Sequence, residues 1–385
     1  MPHIKPEIES FARIKVVGVG GSGKNAVNHM VRSKVRGVEF IAVNTDAQDL
    51  HQSLASKKIR IGKGITKGLG TGMNPELGRQ AAEETKDELH EALKGADMVF
   101  ITCGMGGGTG TGGAPVVAQA AKAQGALTIG VVTKPFVFEG SERAKIAENG
   151  LIRLREAVDA LIIIPNDKLL NVVSKETPFL SAFAMCDEVL KHAVEGISDL
   201  ITIPGIINVD FADVKAIMQN AGSALMGIGH GHGETRAEMA ARAAISSPLL
   251  DISINGARGV LFAVAGGSDL TMWEINEAAK VITSSIDPTA KVIFGAIQDE
   301  KLKKGDLKIT VIASGFPDEI SGKSATLFGA PGSSSFKRNG FFSANNKNGG
   351  GGAPPSPNGA KTVESQTPED SEWDSIPAFI RRQRK

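Results

Sequence analysis

Apolar residues recur along this chain in two periods, and the switches between them mark its elements. Ile14–Val19 is a short, almost unbroken apolar run, the pattern of a strand buried on both faces. Glycines follow at Gly20, Gly21 and Gly23, and helical spacing takes over from Ala26 to about Ser33. Val38–Val43, Asp97–Thr102 and Leu127–Thr133 predict further strands. Between them, Asn74–Lys94 predicts one amphipathic helix, with Asn74 as N-cap and Pro75 at the first helical position, and Pro115–Gln124 predicts another. Strands that alternate with helices predict a parallel sheet covered on both faces.

Thr177–Ile201 predicts one long helix, capped by Thr177 with Pro178 as its first residue; Phe179, Phe183, Val189, Leu190, Val194, Ile197 and Ile201 share helical spacing. About 24 residues at ~1.5 Å each reach roughly 36 Å, enough for a strut shared by two domains. After Pro204 a smaller α+β unit is expected. It has a helix near Asp213–Asn220, a loop rich in glycine and histidine, strands near Gly259–Ala265, Lys291–Ile297 and Leu307–Ala313, and a helix near Leu270–Ser284. From about Pro317 to Glu369 the periodicity vanishes, and the stretch includes Gly349–Pro357. Such a segment buries too little apolar surface to offset its ordering entropy, which predicts a disordered tether reaching roughly 40 Å over about 50 residues. Apolar residues return in Trp373–Arg382, the pattern of a docking peptide.

Composition narrows the class. Its 385 residues, 41% hydrophobic and 22% charged, suit a soluble globular protein of two domains. A net charge of +1 gives no general attraction to nucleic acid or an anionic membrane. Cys103 and Cys186, the 2 cysteines, suggest neither a disulfide framework nor a zinc site. Lys5, Glu7 and Glu9 break up the first ten residues as a secretion signal, and no apolar run reaches the roughly 18 residues of a membrane span. A cytoplasmic protein without direct membrane insertion is expected.

Glycine is the outlier, at 46 residues, and two of its clusters carry chemistry. Gly18–Gly23 fits the G-x-G-x-x-G dinucleotide pattern between a strand and a helix, with Asp46 placed where a ribose-binding acid would stand. It also nearly fits a P-loop ending in Lys24, except that Asn25 replaces the usual magnesium-binding hydroxyl. Either way, backbone N–H groups and a helix N-terminus face phosphate. An NAD-dependent oxidoreductase and a nucleoside-triphosphate protein both remain open on this loop alone. Gly104–Pro115 discriminates: a dehydrogenase needs no second phosphate cradle of this length, whereas a triphosphate offers more phosphate to hold. Gly106, Gly107 and Gly108 suit an anion nest, and Thr109 and Thr111 offer hydroxyls to phosphate.

Gly106–Gly112 (GGGTGTG) resembles the glycine signature of the tubulin/FtsZ family, and further stretches are similar to its bacterial cell-division branch: Gly20–Val27, Ala42–Gln48, Gly68–Pro75, Val132–Phe136, Phe138–Arg143 and Asn208–Asp213. The resemblance runs through residues 12–316 and resumes at Ile376–Arg382. It implies an α/β fold: a Rossmann-like GTP-binding domain joined by a long central helix to a smaller α+β domain, then a disordered linker and tail. The corresponding plan is an extension at 1–12, a GTP-binding domain at 13–177, the central helix at 178–202, a GTPase-activating domain at 203–316, the linker at 317–368 and a partner-docking tail at 369–385.

By that resemblance the ligand is GTP or GDP, with Mg2+ accompanying it. Gly20, Gly21 and Asn25 would line the α- and β-phosphates, with Asn25 also near the base. Asn44, Asp46, Gly70, Gly72 and the run Gly106, Gly107, Gly108, Thr109, Gly110 would surround the phosphates. Glu139 and Arg143 match ribose and phosphate contacts, Thr133 is expected among the nucleotide-binding residues, and Asn166, Phe183 and Asp187 match the guanine pocket. A carboxylate such as Asp187 accepts from guanine N1–H and its exocyclic amine together, an edge adenine does not present. Phe183 without the resemblance reads as a core residue.

Asn208, Asp210 and Asp213 would complete the active site of a neighbouring subunit, the two acids positioning water. Asp210 as an N-cap and Asp213 in the first helical turn is the plain alternative, and both roles are compatible. A head-to-tail contact of this kind is heterologous and propagates into a filament. The implied function is a GTP-hydrolysing homopolymer that builds the bacterial division ring at midcell, with Ile376–Arg382 reaching membrane-anchoring and regulatory division proteins. The basic end, Arg381, Arg382, Arg384 and Lys385, complements a partner's surface. Three features stand apart. Ser22 and Lys24 replace residues often small in the family's first loop, Lys24 adding charge near phosphate or facing solvent. His230 and His232 are expected in a solvent loop and not as a metal site, and Cys186 is expected to pack as a small hydrophobe.

Overall fold

Strand β1 (Ile14–Val19) is buried almost throughout, because its apolar side chains find partners on both faces. This computed structural model describes residues 12–170, 178–203, 205–247, 254, 256–299 and 302–316. The chain leaves β1 directly into α1 (Gly20–Arg32) and continues through β2 (Val38–Asn44), α2 (Ala47–His51), β3 (Lys57–Arg60), α3 (Pro75–Glu84) and α4 (Lys86–Leu93). Next come β4 (Met98–Gly104), α5 (Thr109–Lys122), β5 (Leu127–Lys134), α6 (Ser141–Ala157), β6 (Ala160–Pro165), α7 (Asn166–Leu170) and α8 (Phe179–Thr202). The last part holds α9 (Phe211–Met218), β7 (Gly222–His232), α10 (Arg236–Ile245), β8 (Gly259–Gly266), α11 (Met272–Thr283), β9 (Lys291–Gln298) and β10 (Asp306–Ser314).

All ten strands form one sheet, ordered β3-β2-β1-β4-β5-β6-β7-β10-β8-β9. The first six are parallel. Chain direction across the sheet reverses between β1 and β4, and ligands of such sheets bind at the carboxyl ends beside that switch. Alternate residues of these strands feed two cores. Val16, Ala42, Phe100, Ile129 and Ile162 face α1 and α8. Val17, Ile41, Ile101, Val132 and Leu161 face the layer of α3 to α6. A third core joins β8 and β10 to α10 and α11.

The structure departs from expectation in several places. The expected helix over Asn74–Lys94 is two, because Thr85 leaves helical geometry (φ −110°, ψ 21°) and its hydroxyl accepts from the Gly62 N–H at 3.2 Å. Helix α5 starts at Thr109, so Pro115 lies inside it. The Gly/His segment is not a loop but β7, paired along its length with β10. Gly227, Gly229 and Gly231 face α10, where added Cβ atoms would stand 2.0, 1.9 and 1.9 Å from its carbonyl oxygens. Strands β3 and β6 were not predicted. Helix α8 begins at Phe179, so Pro178 stands at the N-cap position, without a side-chain cap bond, and not as the first helical residue; the expected cap Thr177 lies outside the described residues. So do the extension up to residue 11, the linker and the tail with Ile376–Arg382. The two halves are joined by more than α8: β6 and β7 pair in parallel from Ala160↔Gly222 to Ile162↔Ala224.

Candidate active site

The carboxyl ends of β4, β5 and β6, with the starts of α1 and α8, enclose a cavity of about 270 Å³. Ser22, Asn25, Gly104, Thr133, Glu139, Arg143, Asn166, Phe183, Cys186 and Asp187 all line it. One end is built for a flat, polar-edged group. Asn166 opens α7 and is 5% exposed, and its Oδ1 has no hydrogen-bond partner among the described residues. A buried acceptor left unpaired is costly and marks a place for a donor from outside. Asp187 shares this wall; burial pushes its carboxyl up to about 6, against the pull of nearby His29. Phe183 meets Phe136 edge-on, with ring centroids 5.3 Å apart, so its ring has a fixed setting beside the cavity. The Cys186 thiol donates to the Ala182 carbonyl at 3.4 Å, and burial pushes it up to about 12. It is an uncharged packing group at neutral pH.

In the same lining Glu139 pairs with Arg143 at 3.3 Å and accepts from the Phe136 N–H at 3.0 Å. Arg143 keeps its Nε buried and unpartnered among the described residues. Of the glycines in the two loops only Gly104 lines the cavity; Gly20, Gly21, Gly70, Gly72 and Gly106–Gly110 lie outside its lining, and the loops abut one another. Gly20 has a φ of +73°, and a Cβ there would stand 3.0 Å from the Gly110 nitrogen. Around Gly70, Gly72 and Gly107 a Cβ would meet nothing within 4 Å, so these glycines border open space. Gly106 donates its N–H to the Thr111 hydroxyl at 3.0 Å, and Thr111 is buried. Thr111 thus shapes the loop from behind, a role not foreseen from sequence. Thr109 reaches the Thr45 hydroxyl at 2.9 Å and the Thr71 hydroxyl at 3.2 Å.

Asn44 and Asp46 brace the neighbouring turn. Asn44 Oδ1 accepts from the Thr45 N–H at 2.9 Å, and Asp46 caps α2 through the Gln48 and Asp49 N–H groups. Gly21 is exposed on the first loop, as is Asn25. Lys24 neither extends the cavity nor faces solvent: it is buried against Asp49. Asp49, which carried no signal in the sequence, also accepts from Asn44 Nδ2 at 2.7 Å.

Asn208, Asp210 and Asp213 are exposed and do not line this cavity. Asn208 Oδ1 accepts from the Gly205 N–H at 2.6 Å, and Asp210 caps α9 through the Ala212 N–H at 3.4 Å. Lys215 of α9 and Gln219, which caps its C-terminus, share a surface pocket with Leu127, at the start of β5. Thr133 of the cavity sits near the other end of that strand, about 20 Å away at the usual rise. His232 is not in a loop, and its Nδ1 lies 2.6 Å from Asp306. Among the described residues no group of three His, Cys, Asp or Glu could hold a metal ion, and no helix is long and apolar enough to cross a membrane.

Residues 13–174 match the tubulin/FtsZ family GTPase domain, and residues 222–317 match the C-terminal domain of the FtsZ family. Among solved structures, an empty FtsZ dimer from M. jannaschii is 48% identical with a TM-score of 0.77, over 80% of this chain and 89% of that one. A mutant FtsZ from the same organism is 49% identical with a TM-score of 0.76, over 80% and 92%. A GTPγS-bound CetZ2 protofilament from Haloferax volcanii, 23% identical, shares the fold with a TM-score of 0.67 over 78% and 92%. Nothing in these comparisons supports a nicotinamide dinucleotide.

Proposed function

The chain belongs to the tubulin/FtsZ family, and from that premise we propose how its cavity and its distant acids divide the work of GTP hydrolysis. As a member of this family it binds guanine nucleotide, hydrolyses GTP and assembles with copies of itself. The guanine edge lies against Asn166 and Asp187, and the base stacks on Phe183. The ribose and inner phosphates meet Thr133, Glu139 and Arg143. The outer phosphates cross Gly20, Gly21 and the Gly106–Gly110 loop, whose N–H groups and helix N-termini favour anions. Asn25, Asn44, Asp46, Gly70 and Gly72 border that path. The observation that carries this reading is the buried Asn166 Oδ1, unpartnered among the described residues, in the same cavity as the half-buried Asp187 carboxyl: an amide oxygen and a carboxylate both accept from the N–H edge that guanine presents and adenine does not.

Asn208, Asp210 and Asp213 of one subunit complete the site of the next. The helix cap fixes Asp210, and an ionised carboxylate there accepts a hydrogen bond from the water that attacks the γ-phosphorus, with GDP as the leaving group. Among the described residues the cavity offers no carboxylate cluster for a divalent ion. Magnesium would therefore be held chiefly by phosphate oxygens and water, and it would offset phosphate charge. The Ile376–Arg382 tail links the filament to membrane-anchoring and regulatory division proteins at a midcell ring. The GTPase-activating role of residues 203–316 follows from the same division of labour.

Phosphate release measured against protein concentration tests this scheme. Turnover per subunit should rise with concentration as filaments form, and GTP, but not ATP or NAD, should raise the melting temperature. Full turnover by a dilute monomer would overturn it.

A further inference from the structure

The first glycine turn is bordered by an ion pair that the scheme above leaves unused. Lys24, on the first turns of α1, is 4% exposed, and its Nζ donates to Asp49 Oδ1 at 2.5 Å. The other oxygen of Asp49 accepts from Asn44 Nδ2 at 2.7 Å and lies 3.6 Å from where a Cβ on Gly21 would stand. A carboxylate is thus held by two donors directly alongside the first glycine turn. We propose that Lys24 and Asp49 set the charge that a nucleotide's phosphates meet at this turn, Asp49 opposing the anion and Lys24 offsetting Asp49. The proposal rests on the reading of that turn as the phosphate site.

The geometry gives the two residues opposite signs of effect. Lys24 is spent on Asp49 and lends the turn little net charge. Removing its ammonium exposes a fixed negative charge beside the phosphates; removing the carboxylate leaves a buried cation without its partner beside them. Coulomb interaction scales with ligand charge, so the pair weighs GTP more heavily than GDP, and GDP more than GMP. Both are positioning residues, since neither lines the cavity. Braces without electrostatic function would shift all three nucleotides alike.

The test measures dissociation constants of GMP, GDP and GTP for the full chain and for Lys24→Met, Asp49→Asn, the double variant and Lys24→Arg. Lys24→Met should weaken GTP about tenfold, GDP less and GMP least, and Asp49→Asn should tighten them in the same graded order. The double variant should return to within about twofold of the parent. Lys24→Arg should keep GTP affinity, which preserves the test if Asp49→Asn does not fold. Equal weakening of all three nucleotides in both single variants would overturn the proposal, as would a loss in Lys24→Arg equal to that in Lys24→Met. GMP binding as tightly as GTP to the parent chain would instead sink the phosphate-site reading on which it stands.

Discussion

The hydroxyls of Thr71 and Thr109 stand 3.2 Å apart, joining the turn before α3 to the first residue of α5. Gly108 is packed against this contact, since a Cβ there would lie 2.1 Å from Thr71 Oγ1 and 2.8 Å from the Asn74 backbone. Its neighbour Gly107 meets nothing within 4 Å. Two adjacent glycines therefore serve different ends, one closing the loop on the protein and one bordering open space.

That contrast separates stability from binding. Gly108→Ala should lower unfolding stability by about 3 kcal/mol, because rigid backbone and a buried hydroxyl must both move. Gly107→Ala should melt like the parent without nucleotide yet lose GTP affinity. Melting curves with and without GTP check both, and a destabilised, nucleotide-free Gly107→Ala would contradict the assignment of open space to phosphate.

If Asp187 holds the guanine edge as proposed, guanine binding should depend on pH. Burial raises its carboxyl to about 6 in the folded protein, well above an unfolded aspartate, so between about 4 and 6 the folded state binds the extra proton. Stability from this group is therefore present at low pH and lost as pH rises through that window. Nucleotide affinity has the opposite slope, since the guanine edge needs the ionised form. The dissociation constant for GTP should be flat above about pH 7 and rise roughly tenfold per unit below 6. Asp187→Asn should bind weakly and lose this slope in the same titration.

What the sequence made legible was punctuation. The glycine runs after β1 and β4 stand at strand–helix junctions, and the caps Asn74 and Asp210 are where their spacing put them. Contacts created only by the sheet were hidden. Asp49 sits on a five-residue helix and meets Lys24 because β1 and β2 lie side by side. Thr85 breaks a helix for the sake of a Gly62 N–H far away in the chain. The run Gly227–Gly231 looks like a loop because glycine weakens isolated strands, and it becomes a strand because α10 needs the missing side chains. That Asp210 and Asp213 sit away from the cavity follows from where α9 packs, which no local pattern encodes.

The ladder of glycines in β7 should be intolerant of methyl groups. Gly229→Ala would drive a Cβ to 1.9 Å from the Ala240 carbonyl, so it should cost at least about 3 kcal/mol or prevent folding. Gly70→Ala, in open space, should leave stability unchanged. Denaturant midpoints of the two variants decide this. An unperturbed Gly229→Ala would mean that β7 and α10 are not packed backbone to backbone.

Complementation between two inactive variants tests the shared site most directly. Asp213→Ala keeps the cavity whole, so it should bind GTP, hydrolyse it poorly and leave longer-lived polymer. Asp187→Asn keeps the acids whole but binds guanine weakly. Each alone should release little phosphate. In an equimolar mixture, about a quarter of random head-to-tail junctions place an intact cavity against intact acids, so phosphate release should recover toward that fraction of the parent rate. Such recovery needs one subunit's α9 to reach another's nucleotide, as a cavity and acids set at separate ends of β5 require. A mixture no more active than its parts would place hydrolysis within a single chain and remove Asp213 from any part in its neighbour's site.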